Sequence, residues 1–414
     1  MLYGRSFFIM DEKYIYRRRI YLAVSAVAML FAGIIYAWSI LKAPLALEFN
    51  WNPQQLALNF TLTMCFFCLG GLVAGFLLKK LPAQAVLILA GVLNGIGFTV
   101  SSQIHTDKII LLYLAYGVIC GSGIGIAYTS LLAVTNSWFP DKKGTSSGVQ
   151  MMAFGASSLI LGNLANYLME LDRFGWRKTY LLLGILSGAV LVLSSFILHF
   201  APEDFLRSPN KAQSSSIFSG SSQNYTTSQM IHRPTFWKFF LFSLSFVAVG
   251  NTIISCAKDI ALSVGAGNSL ATTMVGVLAI CNGLGRLIAG NVFDRLGYRS
   301  TMYIGNIITI LTPLVLLLAS LSSGVIIGIA GLCIAGLSYG FSPPISSAVI
   351  MEFYGQKNYA MNFSVANLML IPSSFVATFA GKIVLTTGNY FSVYLLLLVL
   401  AVVSLLLNIS IKHP

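Results

Sequence analysis

Apolar runs about as long as a bilayer is thick recur twelve times along this chain, separated by short polar segments. A helix needs about 20 apolar residues to cross ~30 Å of hydrocarbon. On that length the pattern predicts spans over 20–42, 55–78, 84–103, 109–138, 144–169, 179–200, 235–260, 269–294, 300–320, 325–354, 359–385 and 391–411. Between 201 and 234 the pattern lapses. Residues Gln213 to Thr227 are rich in Ser, Gln and Thr, the composition of a flexible polar linker. The expected organisation is a tail at 1–19, a six-helix bundle at 20–200, the linker at 201–234, a second six-helix bundle at 235–411 and a short tail at 412–414.

The two bundles repeat each other at an offset of 215 residues. Gly75 aligns with Gly290, Gly121 and Gly125 align with Gly336 and Gly340, and Trp138-Phe139 aligns with Phe353-Tyr354. One such match is weak evidence; several at a single offset indicate duplicated bundles, with a binding site expected between them near the bilayer midplane. The fold class expected is therefore an all-α membrane protein of twelve transmembrane helices in two pseudo-symmetric bundles.

Composition sharpens this picture. The chain is 57% hydrophobic and 9% charged, against about 25% charged in soluble domains. A net charge of +13 invites a nucleic-acid reading. The distribution of that charge argues otherwise. Most of the 25 Lys and Arg fall in the tails or in loops on one side, which is the positive-inside bias with both termini cytoplasmic. The group Arg173, Arg177 and Lys178 lies on the opposite side and runs against it. The basic start leads straight into a full-length span with no cleavage site, so no signal peptide is expected. The sequon Asn224-Tyr225-Thr226 lies in the linker and is expected to be unused for the same topological reason.

One charge stands apart. Arg286 lies inside the apolar run Thr273 to Phe293, eight residues before Asp294. At ~1.5 Å per residue it sits roughly 12 Å below the end of its helix, near the middle of the membrane. A permanent cation there costs about 3 kcal/mol or more and marks a functional site by default. The repeat places Gly71 opposite it, so duplication does not account for the charge. A visiting anion does.

The other candidates for chemistry are thin. Six cysteines all fall in spans, and the Cys65-x-x-Cys68 pair has no second pair or histidine beside it, so a tolerated helix face is the better reading than metal or redox work. His105, His199, His232 and His413 are scattered. No metal, cofactor or enzyme constellation is expected. In span 4, Gly117, Gly121 and Gly125 recur every fourth residue, the spacing of a smooth face for close helix packing. They lack the spacing and the preceding strand of a dinucleotide-binding loop. Tyr128 ends that run, and its hydroxyl needs a partner in an apolar setting.

The segment Gly290-x3-Asp294-Arg295-x-Gly297-x-Arg299 has its own mechanical logic. Glycines permit a tight turn, and Asp294 is placed to cap the next helix, or to pair with Arg299 and neighbouring helix ends. It resembles the loop signature of the major facilitator superfamily. The first-half copy, Gly75 to Pro82, is degraded, with Lys79 where the acid belongs. Three further segments are similar to those of the oxalate/formate antiporter family, related to monocarboxylate transporters: Gly33-Ile-Ile-Tyr36-Ala-Trp38-Ser39, the span 4 glycines running on to Gly144, and Asn282-Gly-Leu-Gly-Arg286. Tyr339-Gly-Phe341 and Phe353-Tyr354-Gly355 in span 10 also fit.

That resemblance implies carboxylate transport by alternating access. It implies that Arg286 binds the substrate carboxylate and that Tyr36, Tyr128 and Tyr339 line the site. Asn282 stands where monocarboxylate relatives often carry an acid. Oxalate exchangers pair the arginine with a span 11 lysine; here that position is close to Leu370. Two cations suit a dianion and one suits a monoanion, since a second carboxylate would stay desolvated. The expected substrate is thus a small monocarboxylate of the lactate, pyruvate or formate class, moved with protons or by anion exchange. An oxalate-type dicarboxylate exchanger, or an exporter of an unrelated metabolite on the same fold, are the alternatives. Lys258-Asp259, at the outer end of span 7, supplies Asp259 as a proton-site candidate against the plainer reading of a solvated end pair. Glu352 reads as a helix-end residue. Pro343-Pro344 and Pro372 are expected to kink spans 10 and 11. The remaining expectations are a monomer in the lipid bilayer of a bacterial inner membrane, with no nucleic-acid partner.

Overall fold

The computed structural model of the protein describes residues 12–105, 108–171, 174–202, 224–322 and 324–414. Arg173 and the Ser-rich part of the linker up to residue 223 lie outside the described residues. Span 1 is composite, Glu12–Ala32, a 3-10 turn at Gly33–Ala37, then Trp38–Phe49. Spans 2, 3, 5 and 6 are Pro53–Leu77, Ala83–Ser102, Lys143–Glu170 and Gly175–Ile197. Span 4 contains a π-helical stretch, Tyr113–Cys120, before Gly121–Ser137.

In the second half, span 7 is Pro234–Ser255, followed by the short helix Ala257–Ser263. Spans 8 and 9 form one helical run, Asn268–Ser322, turned at Gly297, whose φ of 78° a residue with a side chain rarely adopts. Span 10 is Val325–Tyr354 and stays helical through Pro343 and Pro344. Span 11 is divided into Tyr359–Asn367 and Leu370–Thr387, the division falling just ahead of Pro372. Span 12 is Phe391–Ser410. Among the described residues eleven continuous helices are long and apolar enough to cross a membrane, one of them carrying spans 8 and 9 together.

Helix ends are specified locally. At the start of span 2, Asn52 Oδ1 accepts from the Gln55 N–H at 2.8 Å and Gln55 Oε1 accepts from the Asn52 N–H at 3.0 Å. This reciprocal box satisfies amides that lipid would leave bare. Thr226 and Gln229 form the same box on the short helix Thr227–Ile231 that precedes span 7. Asn224, in the sequon, uses its Oδ1 to accept from the Lys357 N–H at 3.0 Å.

The repeat holds at the level of contacts. A Cβ on Gly70 would meet the backbone of Ser122, and one on Gly285 the backbone of Leu337. Gly121 opposes Thr63 as Gly336 opposes Leu278, and Gly125 opposes Phe67 as Gly340 opposes Asn282. In every pair both partners shift by 215. Spans 2 and 4 therefore pack as spans 8 and 10 do, backbone against backbone, because glycine at these positions admits the neighbouring carbonyl.

The halves meet at the end that carries both described chain ends. There Asn136 of span 4 donates to Ser147 of span 5 (2.9 Å), Ser147 bonds Ser347 of span 10 (2.7 Å), and Ser347 bonds Tyr359 of span 11 (2.5 Å). All four side chains are buried and neutral. The largest buried cluster fills the first half and reaches across to Phe236, Phe353 and Tyr359, while a second fills the outer part of the second half around Ile253, Leu332 and Tyr394.

Candidate functional site

Just inside that polar layer lies a cavity of about 50 Å³, lined from spans 1, 2, 4, 5, 7, 8, 10 and 11. It is well below the ~300 Å³ of pockets for drug-sized ligands, so in this state it suits only small solutes. Arg286, Tyr36, Tyr128 and Tyr339 all line it, and so does Leu370. Arg286 is 2% exposed. No carboxylate is among the lining residues. An acid would neutralise the cation internally; among the described residues none lines this cavity.

Each side chain has a local cause for its position. Gly33 lets span 1 press against the backbone of Phe154 in span 5, where a Cβ would lie 2.8 Å from the Phe154 carbonyl carbon. The 3-10 turn that follows brings Tyr36 edge-on to Phe154, ring centres 5.4 Å apart. Tyr128 packs between Phe154 (4.9 Å) and Phe67 (5.2 Å). Tyr339 lies against Gly250 of span 7, where a Cβ would approach its ring to 2.7 Å. On span 11 the helix division brings Asn367, Met369 and Leu370 to the cavity wall. The outcome is one cation among tyrosine hydroxyls, Ser342 and Asn367, with aromatic and aliphatic surface filling the rest.

Asn282 is not among the lining residues. Its backbone is pressed on by Gly340, and its buried Oδ1 has no hydrogen-bond partner. Helical spacing puts it one turn from Arg286, but close packing of spans 8 and 10 takes that turn away from the cavity. Asp259 is exposed on the helix Ala257–Ser263, outside the cavity. Cys68 Sγ lies 3.9 Å from the Asn367 carbonyl, and all six cysteines are free.

Asp294 acts across the halves. Its carboxylate accepts from the backbone N–H groups of Gly144 (2.8 Å) and Thr145 (2.7 Å), at the start of span 5. It thus caps a helix of the other half, where anions are stabilised. Gly290 permits this, since a Cβ there would lie 2.7 Å from the Gly144 carbonyl carbon. Arg295 and Arg299 are exposed, and Gly297 makes the turn. On the opposite face, Arg177 pairs with Glu48 at 2.7 Å and donates to the Ile104 carbonyl at 2.8 Å. A local acid and a helix end therefore account for that unexpected basic residue.

The sequence reading missed Phe67, Phe154 and Ser342. The repeat offered a partial signal: Phe154 corresponds to Met369 and Tyr128 to Pro343, and all four line the cavity.

Comparison with known proteins agrees with this architecture. The chain is 26% identical over 337 residues to YhjX of Escherichia coli (strain K12), an uncharacterized transporter of the same type, covering 81% of this chain and 80% of that one. It is 22% identical over 360 residues to the oxalate:formate antiporter of Oxalobacter formigenes (86% and 82% covered) and 24% identical over 342 residues to monocarboxylate transporter 12 of Xenopus laevis (78% and 73%). Among solved structures, the proton:xylose symporter XylE superposes with a TM-score of 0.73 at 14% identity, covering 97% of this chain and 95% of that one. FucP in its outward conformation gives 0.72 at 15%, covering 96% and 100%. The family model described as Major Facilitator Superfamily matches residues 20–378. Duplicated bundles, a cavity between them and this match together place the chain in the major facilitator superfamily, to which it belongs.

Proposed function

We propose that this protein is a secondary transporter of small monocarboxylates. The observation that carries the reading is Arg286, a buried cation on a cavity wall without a lining carboxylate. Its planar guanidinium binds the carboxylate through charge-assisted hydrogen bonds. Tyr36, Tyr128 and Tyr339 orient the anion, and the apolar wall around Phe154 and Leu370 accepts the rest of the molecule. The site lies between the halves, so rocking of one bundle against the other exposes it alternately, with the linker and both termini cytoplasmic. Coupling is by anion exchange or by protons. Similarity to an oxalate:formate antiporter and a monocarboxylate transporter supports the carboxylate class.

Leu370 decides between mono- and dicarboxylates. It lines the cavity where a second cation would serve a dianion. A second carboxylate beside it stays unpaired, and an uncompensated buried charge costs about 3–5 kcal/mol. The test is competition against a radiolabelled substrate in liposomes, with formate, acetate, lactate, pyruvate, oxalate and malonate as competitors. Monocarboxylates are expected to compete at lower concentrations than oxalate. Oxalate winning overturns the choice, and no competition by any carboxylate overturns the class.

A further inference from the structure

The Arg286 backbone belongs to span 8, yet its guanidinium rests on span 5 of the other half. Nη1 donates a hydrogen bond to the carbonyl of Met151. One turn further on, Gly155 presents no side chain. A Cβ there would lie 2.8 Å from Nη1, 3.1 Å from Cζ and 3.4 Å from Nη2. The first of these distances is too short for real atoms, so any larger residue displaces the guanidinium. Residues at i and i+4 lie one above the other on a helix face. Met151 and Gly155 therefore form a flat seat: a carbonyl with a spare lone pair beside a vacant side-chain position.

The seat fixes which edge of the fork is left over. Nε is buried and has no partner. With Nη1 committed to span 5, Nε and Nη2 form the free edge, and two parallel donors are what a carboxylate takes bidentately. The repeat supplies an independent line. At the offset of 215, Gly155 corresponds to Leu370 and Arg286 to Gly71. The seam of spans 2 and 11, with glycine in place of the arginine, carries a full side chain at the seat position, and the seam of spans 8 and 5, with the arginine, carries glycine there. General helix packing does not require that reciprocal exchange; a guanidinium lying on span 5 does.

We propose that Gly155, together with the Met151 carbonyl, is the positioning site for Arg286, holding the guanidinium so that its Nε–Nη2 edge faces the cavity. The purpose of that edge rests on the carboxylate reading; the contact itself does not. The test is a double-mutant cycle on the purified protein: wild type, Gly155→Ala, Arg286→Lys and the pair, each measured for monocarboxylate binding and for Tm without ligand. Gly155→Ala is expected to weaken binding about tenfold or more, because misplacing a polar group by ~1 Å is that expensive. Arg286→Lys is expected to cost about tenfold in the wild-type background but less than about threefold in Gly155→Ala, where the fork is already misplaced. Independent, additive losses overturn the proposal.

Gly162→Ala is the control. It lies on the same span, but its Cβ would meet Ile40 and Ala37, so binding should be unchanged; a loss equal to that of Gly155→Ala counts against the seat. Should Gly155→Ala not fold, Gly155→Ala/Arg286→Ala decides: recovered folding supports the contact and continued failure overturns it. Should wild type bind no carboxylate, the functional reading fails, and Tm still judges the seat. Gly155→Ala must then lower Tm when Arg286 is present and not in an Arg286→Ala background.

Discussion

The two seams between the halves are built from equivalent segments and closed by different chemistry. Where span 5 meets span 8, Gly144 and Gly148 admit the backbone of Gly290 and Arg286, and the Asp294 carboxylate caps span 5. Where span 2 meets span 11, Gly75 packs on the Met361 backbone and Ser364 Oγ donates to the Gly71 carbonyl at 2.7 Å. Lys79 stands exposed where the acid would be, near the start of span 11. One seam thus carries a charge-assisted cap and the guanidinium; the other is held by neutral contacts. The two seams share a duplicated frame and differ in charge, and on the proposed reading the charged seam is the one that meets the anion.

The sharpest way to break this comparison is to blunt the charged seam at its centre. Arg286→Lys keeps the charge and loses the fork. Uptake into liposomes is expected to fall about tenfold or more with Tm little changed, whereas wild-type uptake by Arg286→Ala would remove Arg286 from the site. Next in size is moving charge to the neutral seam. Leu370→Lys should raise the ratio of oxalate to lactate binding about tenfold, since a buried pair replaces an unpaired carboxylate. Met369→Lys is the neighbour control, and an unchanged ratio in both means that span 11 plays no part at this depth.

Smaller effects are expected at the caps. Asp294→Asn loses a charged N-cap worth about 1 kcal/mol, or about fivefold in the balance between open and closed seams. Spin labels at the exposed positions Lys142 and Arg295 report it as a larger long-distance population. Lys79→Asp should act in reverse at the other seam, by about twofold, read between labels at Lys80 and Lys357. Equal responses of the two seams would erase the asymmetry drawn here.

How much of this was legible beforehand follows from what each feature needs. The spans were legible because hydrocarbon imposes one length on every helix. The repeat was legible because glycine at a helix crossing has no substitute, so Gly75, Gly121 and Gly125 kept their partners 215 residues away. Arg286 announced itself by its cost. Spacing assigned Asn282 to the Arg286 face without saying which neighbour occupies that face, and in this structure Gly340 packs on it. Phe67 and Phe154 were invisible among 28 phenylalanines in an apolar chain. Asp294 was read as a cap of the next helix or a partner of Arg299 and neighbouring helix ends, and that the helix it caps belongs to the other half depended on tertiary packing.

The unpartnered Nε of Arg286 has an electrical consequence. Among the described residues Arg286 is the one charged residue lining the cavity, so on the proposed reading the empty site holds one net positive charge and a site loaded with a monoanion holds none. Alternating access, as proposed, would change on which side of that charge the membrane potential drops, which is equivalent to moving it through part of the field. A charge crossing the whole field exchanges about 2.3 kcal/mol per 100 mV. On the proposed reading, the loaded transition is blind to voltage and the empty return is not. One-for-one exchange of monoanions in liposomes should then be unaffected by an imposed potassium-diffusion potential, while net efflux should change with its sign.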